Sequence, residues 1–136
     1  MIVLDTNIVL DAFVFNDPAA LPLKQALDAG ELQWVATQSM RDELERVLAY
    51  PKIAARLALY QLTASGVLAH FDAQAKLVAV ADKAPYTCRD ADDQKFIDLA
   101  VAHQAVLLSK DAAVICMAKR LLTLGVAAQR AMTVVA

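Results

Sequence analysis

The sequence predicts an α/β domain with a central, mostly parallel sheet flanked by helices. Short apolar runs alternate with longer helical patterns along the chain. The apolar runs lack polar alternation, which is typical of parallel strands that are covered on both faces. With 59% hydrophobic residues and only three glycines, the composition favours a compact, helix-rich chain. Its 136 residues suffice for one core, so we expect a single domain over residues 1–136.

The N-terminal half predicts an alternation of strands and helices. Ile2-Val3-Leu4 is apolar and β-branched, and it predicts a buried first strand. The patterns after it predict a helix that ends near Phe13, a helix over 18–29, a strand over 32–36 and a helix over 40–49. Gly30 is placed to end the second helix. Ser39 is placed to cap the third, because its hydroxyl can accept from free amides of the first turn.

The C-terminal half has one segment without a clear signal. The patterns predict a helix over 52–65 ended by Gly66, a strand or extended link over 67–71, a helix over 92–103, a strand over 106–108, a helix over 111–124 ended by Gly125, and a last strand over 132–135. Residues 72–89 give mixed signals, and 76–83 fit a strand or a helix equally well. We therefore make no prediction for that stretch.

Two acids follow predicted strands. Asp5 comes directly after the first strand, and Asp111 lies shortly after the strand at 106–108. In open parallel sheets, ligands bind at the carboxyl ends of the strands. If these two strands are neighbours, both carboxylates point into the same crevice.

Two further acids lie on predicted helices. On a helical wheel of roughly 100° per residue, Glu43 lies only about 60° from Met40, which belongs to the apolar stripe of its helix. Asp93 precedes Phe96 and Ile97 by three and four residues, along the inward face of the next predicted helix. Its carboxylate would also lie near the positive end of the helix dipole. Four acids from separate elements can therefore converge.

Converging carboxylates repel one another unless a cation compensates them. An oxygen-rich site without nearby histidine or cysteine suits Mg²⁺ or Mn²⁺ better than zinc. Such an ion can activate water for attack on a phosphodiester. The hypothesis from the residues is therefore a metal-dependent nuclease with Asp5, Glu43, Asp93 and Asp111 as catalytic residues and metal ligands.

Each acid also has a purely structural alternative. Aspartates that follow strands often cap helices, which applies to Asp5 and Asp111. Glu43 could simply flank its helix face, and Asp93 could simply begin a helix. The net charge of −2 shows no excess of basic residues typical of nucleic-acid binders, unless bound cations supply the positive charge. Only the joint arrangement of the acids favours a site.

The distribution of apolar and basic residues also predicts where the protein is located. There is no apolar run of roughly 20 residues and no basic segment followed by an apolar signal stretch at the N-terminus. We therefore expect a cytoplasmic protein without a membrane partner. Cys88 and Cys116 are expected to be ordinary reduced thiols. The apolar helices between residues 18 and 65 are candidates for contacting a second copy of the chain, as a homodimer, or an inhibitor protein.

Four stretches resemble the motifs of the PIN domains, the nuclease fold of many toxin–antitoxin toxins. They are Val3-Leu4-Asp5-Thr6-Asn7, residues 39–48 with Glu43, residues 88–96 with Asp93, and Leu107-Leu108-Ser109-Lys110-Asp111. The third stretch is similar to the motif of a bacterial branch of VapC-like toxins. The resemblance covers nearly the whole chain in the right order.

This resemblance implies a three-layer fold and a metal-dependent endoribonuclease with an RNA substrate and an antitoxin partner. It implies that the four acids are the ligands and that Asn7 and Ser109 are supporting polar groups. Asp98 matches a position that is often acidic in the branch, as a fifth acid or an outer-shell group. Asp90 is a further supporting candidate, although it could cap the helix instead.

Two other functions remain open at this stage. In a phosphatase or phosphotransfer domain, an aspartate such as Asp5 would be phosphorylated, but Asn7 stands where the usual pattern has an acid. A catalytically silent module could use an acidic pocket to hold a basic peptide. The presence of all four acids argues against the silent module.

Overall fold

The first apolar run forms the centre of a five-stranded sheet, as its lack of polar residues predicts. In the computed structural model, which describes residues 1–132, the strands are β1 (Ile2–Leu4), β2 (Trp34–Ala36), β3 (Ala75–Leu77), β4 (Val106–Leu108) and β5 (Ala128–Gln129). Their order is β3-β2-β1-β4-β5, and every described pairing is parallel. The predicted three-layer α/β class is confirmed.

Helices connect the strands. They are α1 (Thr6–Phe13), α2 (Leu21–Asp28), α3 (Gln38–Leu48), α4 (Pro51–Leu59), α5 (Ala64–Gln74), α6 (Gln94–His103), α7 (Ala112–Ile115) and α8 (Ala118–Leu122), with 3₁₀ turns at Pro18–Ala20 and Ala91–Asp93. None of the helices among residues 1–132 is long and apolar enough to cross a membrane.

The core is centred on the inner strands and on one aromatic group. Trp34 lies with its ring centroid 6.1 Å from that of Phe13 and 4.8 Å from that of Phe71. The edge-to-face contact with Phe71 ties α5 to β2. On α6, Ile97 and Ala100 are fully buried, as their spacing predicted. This packing fixes the helix that follows Asp93.

The third helix begins earlier than expected. It starts at Gln38, and Thr37 rather than Ser39 occupies the cap position. The Ser39 hydroxyl lies 3.1 Å from the Thr37 hydroxyl and is exposed on the first turn. The predicted Ser39 cap is therefore wrong, because Thr37 still has extended backbone angles and the helical angles begin one residue later.

The helix expected over 52–65 is in fact two helices. The first ends at Leu59, and Gln61 adopts a left-handed backbone with φ of 58°. Thr63 then caps α5 by accepting a hydrogen bond from the Gly66 amide at 3.0 Å. Gly66 therefore lies inside the first turn of a helix, and the strand or extended link expected over 67–71 is wrong. Of the ambiguous stretch 76–83, only its first residues belong to a strand, β3.

The C-terminal region also differs from the expectation. The single helix expected over 111–124 is divided into α7 and α8, because the backbone leaves helical geometry at the buried Met117, with ψ near 0°. Of the strand expected over 132–135, residues 133–135 lie outside the described part, and Met132 is not in a strand. The described fifth strand lies earlier, where Leu107 pairs with Ala128. Cys88 and Cys116 are free thiols.

Candidate metal centre

Asp5 and Asp111 meet at the carboxyl edge of the sheet. Their strands β1 and β4 are direct neighbours, in a register that pairs Leu4 with Leu108. The Asp5 amide continues this pairing by donating to the Leu108 carbonyl at 3.0 Å. The condition stated from the sequence, that the two strands are neighbours, is met, and the carboxylate oxygens of Asp5 and Asp111 lie within 4.8 Å of each other.

Asp93 completes a cluster of three carboxylates. One carboxylate oxygen from each of Asp5, Asp93 and Asp111 lies within 4.8 Å of the other two. Asp5 is 4% exposed and Asp93 is 8% exposed, so two of the three acids are almost removed from solvent. Asp93 ends the 3₁₀ turn before α6, and the buried Ile97 one turn later anchors that helix against the sheet.

The Ser109 hydroxyl joins two of these acids. It is completely buried, donates to Asp5 Oδ2 at 2.6 Å and accepts from the Asp111 amide at 3.1 Å. Asp5 makes no side-chain cap to α1, so its carboxylate is left for the crevice. Asp111 Oδ1 does accept from the Ala113 amide at 2.8 Å and caps α7. Asp111 therefore has a structural role in addition to its place in the cluster.

Glu43 lies beside the cluster rather than within it. Its Oε2 accepts a hydrogen bond from the Thr6 hydroxyl, and its Oε1 lies 3.1 Å from the Lys95 ammonium. Among residues 1–132, the metal-compatible group contains the three aspartates without Glu43. The charge of Glu43 is still close enough to raise the pKa of Asp5.

The buried acids resist ionisation in the absence of a cation. Burial, and then the charges of Asp5 and Asp111, raise the pKa of Asp93 to about 7. Burial also raises the pKa of Asp5, although the Ser109 hydrogen bond lowers it and the charges of Asp111 and Glu43 raise it further. At neutral pH the ionised carboxylates of the metal-free cluster therefore repel one another.

The residues fit a hard divalent cation. Asp93 Oδ2 is buried and has no hydrogen-bond partner among the described residues, which leaves a carboxylate oxygen in need of one. Three carboxylate oxygens at this spacing supply both the ligand type and the negative charge that Mg²⁺ or Mn²⁺ requires. No cysteine or histidine belongs to the group.

A family model described as the PIN domain matches residues 1–113. This chain belongs to the PIN domain family. PIN domains are generally nucleases, and a cluster of three acids is compatible with a metal site. The match includes Asp5, Glu43, Asp93 and Asp111. No match to a curated protein was found.

Three of the supporting residues predicted for this PIN domain lie outside the cluster. Asp98 Oδ1 accepts from the Ala84 amide at 2.8 Å and from Gln94 Nε2 at 2.7 Å, so it anchors the loop before α6. Asp90 Oδ1 accepts from the Asp92 amide at 3.0 Å and caps the 3₁₀ turn, which was its structural alternative. Asn7 is exposed on the first turn of α1.

Two residues that the sequence did not single out contact Glu43 in this PIN domain. Thr6 and Lys95 lie inside the quoted motifs, but no role was predicted for them. One signal was present: a lysine in the first turn of a helix is unfavourable for the helix dipole, which indicates a specific anionic partner. Only the folded structure shows that this partner is Glu43.

Ser109→Ala should weaken both the fold and the site of this PIN domain. The change leaves the Asp111 amide and Asp5 Oδ2 without their buried partner, so we expect a loss of about 1–3 kcal/mol in the free energy of unfolding. Loss of such an orienting group typically costs 10- to 100-fold in metal affinity or activity. Urea unfolding and Mn²⁺ calorimetry measure the two effects. Ser39→Ala, on the exposed helix turn, is the control, and equal effects of both variants would contradict the assigned role.

Proposed function

We propose that this PIN domain is a Mg²⁺- or Mn²⁺-dependent endoribonuclease that hydrolyses RNA phosphodiester bonds. The observation that carries the proposal is the approach of the Asp5, Asp93 and Asp111 carboxylates to within 4.8 Å of one another at the carboxyl edge of the sheet. The pKa of Asp93, raised to about 7 mainly by burial, indicates that the cluster is costly to ionise without a cation.

The three aspartates are the residues that would hold the ion. Ser109 orients Asp5 through its 2.6 Å hydrogen bond and fixes the Asp111 backbone through the second. Glu43 adds negative charge at the rim of the crevice. A divalent ion in such a site supplies activation of bound water and stabilisation of charge on the phosphate oxygens.

The charge of the chain supports a requirement for metal. The net charge is −2, and the crevice is lined by buried acids, so a phosphate group would be repelled in the absence of a cation. The Lys110 ammonium is close to the cluster in sequence, but it pairs with Asp11. Substrate binding at this edge therefore depends on charge that a metal ion brings.

We further propose that the protein is the toxin of a cytoplasmic toxin–antitoxin pair. The support is the resemblance of its third motif, residues 88–96, to a VapC-like bacterial branch. An antitoxin would then be its protein partner, and the chain could also pair with a second copy of itself. Induced expression that arrests growth, and relief of the arrest by a small neighbouring gene, would support this role. Growth that is unaffected by expression of an active nuclease would count against it.

RNA cleavage by the purified full chain tests the nuclease proposal. We expect end-labelled single-stranded RNA to be cut with Mg²⁺ or Mn²⁺, and cleavage to fall to background in EDTA because the cluster then lacks its cation. Asp5→Asn should remove cleavage, and Asp82→Asn, at an exposed position, should not. Cleavage that persists in EDTA would overturn the proposal.

The same purified protein can be used to test the two alternative functions, a phosphotransfer domain and a catalytically silent binding module. Turnover of p-nitrophenyl phosphate with a phosphorylated Asp5, without RNA cleavage, would support the phosphotransfer domain instead. Binding of a lysine-rich peptide without cleavage of any RNA tested would support the silent module.

A further inference from the structure

Lys95 makes three contacts that are not those of a solvated surface lysine. Its ammonium lies 3.1 Å from Glu43 Oε1 and donates to the Asp92 carbonyl at 2.6 Å. The same ammonium lies 5.0 Å from the centroid of the Phe96 ring. The Lys95 side chain is 28% exposed and the Glu43 side chain is 21% exposed, so the pair is substantially shielded from water. Such shielding makes an ion pair stronger than an exposed one.

The contacts connect two separate parts of the crevice. Glu43 belongs to α3, whereas Asp92 belongs to the 3₁₀ turn that carries Asp93. Lys95 therefore bridges the glutamate and the turn of a cluster aspartate. The Thr6 hydroxyl occupies the other oxygen of Glu43, so both oxygens of that carboxylate have partners.

Glu43 and Asp93 differ in the partners of their carboxylate oxygens. Each oxygen of Glu43 has a hydrogen-bond partner, whereas Asp93 Oδ2 is buried without a partner among the described residues. A carboxylate that already has a cationic partner has less to gain from a metal ion than one that lacks a partner. The three aspartates, whose carboxylate oxygens lie within 4.8 Å of one another, are thus prospective ligands, and Glu43 is held beside them by Thr6 and Lys95.

We propose that Lys95 is a positioning residue that holds Glu43 beside the metal ligands and keeps it from joining them. This inference rests on the proposed nuclease function. It assigns Lys95 a positioning role, and it places Glu43 at the rim of the crevice rather than among the metal ligands. Lys95 acts through Glu43 and does not itself contact RNA.

Lys95→Met should change metal affinity and turnover in opposite directions. Loss of a positive charge, together with release of Glu43, should tighten Mn²⁺ binding by roughly 3- to 10-fold in calorimetry. The kcat for RNA cleavage should fall by roughly 10-fold because Glu43 is no longer held in place, with KM changed by less than about threefold. A purely structural loss would weaken both binding and turnover. Lys95→Arg, which keeps the charge, should restore most of the kcat.

The matched control is Lys119→Met, which removes the same charge from an exposed position on α8. It should leave Mn²⁺ affinity and kcat unchanged. If it tightens Mn²⁺ binding as much as Lys95→Met does, the effect is one of net charge and the proposal fails.

A double-mutant cycle with Glu43→Gln tests whether Lys95 acts through the glutamate. We expect Lys95→Met to lower kcat little further in the Glu43→Gln background, and to tighten Mn²⁺ binding less than it does with Glu43 present. Additive effects on kcat would overturn the proposal, and a raised KM with unchanged kcat would show that Lys95 binds phosphate instead. If the wild-type chain cleaves no RNA, the proposed function fails, and the Mn²⁺ cycle alone still decides whether Lys95 restrains Glu43.

Discussion

Asp5→Asn is expected to lower RNA cleavage by roughly a thousandfold while it stabilises the metal-free protein. Asp5 is 4% exposed, and its pKa is raised mainly by burial, so its ionised form is unfavourable in the empty cluster. Asparagine keeps an oxygen that can accept from the Ser109 hydroxyl, and it removes one of three converging charges. The substitution also replaces an anionic metal ligand by a neutral amide. Activity should therefore fall while the stability of the metal-free protein rises.

Three measurements check this expectation. Single-turnover cleavage of labelled RNA gives the loss of activity, Mn²⁺ calorimetry gives the loss of binding, and thermal unfolding in EDTA gives the gain in stability. Asp82→Asn is the control, because Asp82 is exposed and does not belong to the cluster. An Asp5→Asn variant that still cleaves RNA with Mg²⁺ would refute the role of this carboxylate.

The centre of the fold was predictable because its signals are local. The strands β1 and β4 are short apolar runs that end at Asp5 and at Ser109, and both positions were predicted correctly. The helix from residue 94 was predictable because Phe96, Ile97 and Ala100 repeat at helical spacing and are all buried. These are the elements that place Asp5, Asp93 and Asp111, and the sequence predicted their convergence, together with Glu43, on the condition that β1 and β4 are neighbours.

The boundaries of α4 and α5 were not predictable, because they depend on backbone geometry. Gln61 adopts a left-handed conformation, which sequence patterns assign to glycine rather than glutamine. Gly66, which resembles a helix stop, is instead accommodated in a first turn by the Thr63 cap. Apolar spacing alone could not distinguish a stop from a cap at these positions.

The remaining parts of the site depend on contacts between distant residues. Glu43 and Lys95 are 52 positions apart, and only the packing of α3 and α6 near the same sheet edge brings them together. Asp98 has a helical position that suits a fifth acid, yet it receives the Ala84 amide of a loop that had no sequence signal. The sequence could therefore predict which acids are candidates, but it could not predict which of them already have partners.

The stability of the metal-free protein should fall as the pH rises from about 4 to about 7. The pKa of Asp93 is about 7 in the folded protein against an ordinary value of 3.8, so the folded state binds its proton more tightly than the unfolded state does. Below about pH 4 both states are protonated at this group and its contribution is fully present. Between the two pKa values the contribution is lost, at up to about 1.4 kcal/mol per pH unit. Asp5, whose pKa is also raised, adds to the same trend.

The carboxylate of Asp72 affects stability in a different pH range. The Arg41 side chain, hydrogen-bonded to Asp72, lowers the pKa of that carboxyl below its ordinary value. Asp72 therefore loses its stabilising contribution only as the pH falls below about 4. A decline in stability between pH 4 and pH 7 can thus be attributed to the buried cluster rather than to this surface pair.

Mn²⁺ should reverse the decline because it binds the ionised cluster. At 100 times its dissociation constant, a ligand specific for the folded state adds about 2.7 kcal/mol to the free energy of unfolding. Urea unfolding across this pH range, in EDTA and with Mn²⁺, measures both trends, and Asp93→Asn should flatten the curve in EDTA. A metal-free protein whose stability rises steadily towards pH 7 would show that the three carboxylates are compensated by the protein itself. The need for a cation, on which the nuclease mechanism depends, would then lose its physical basis.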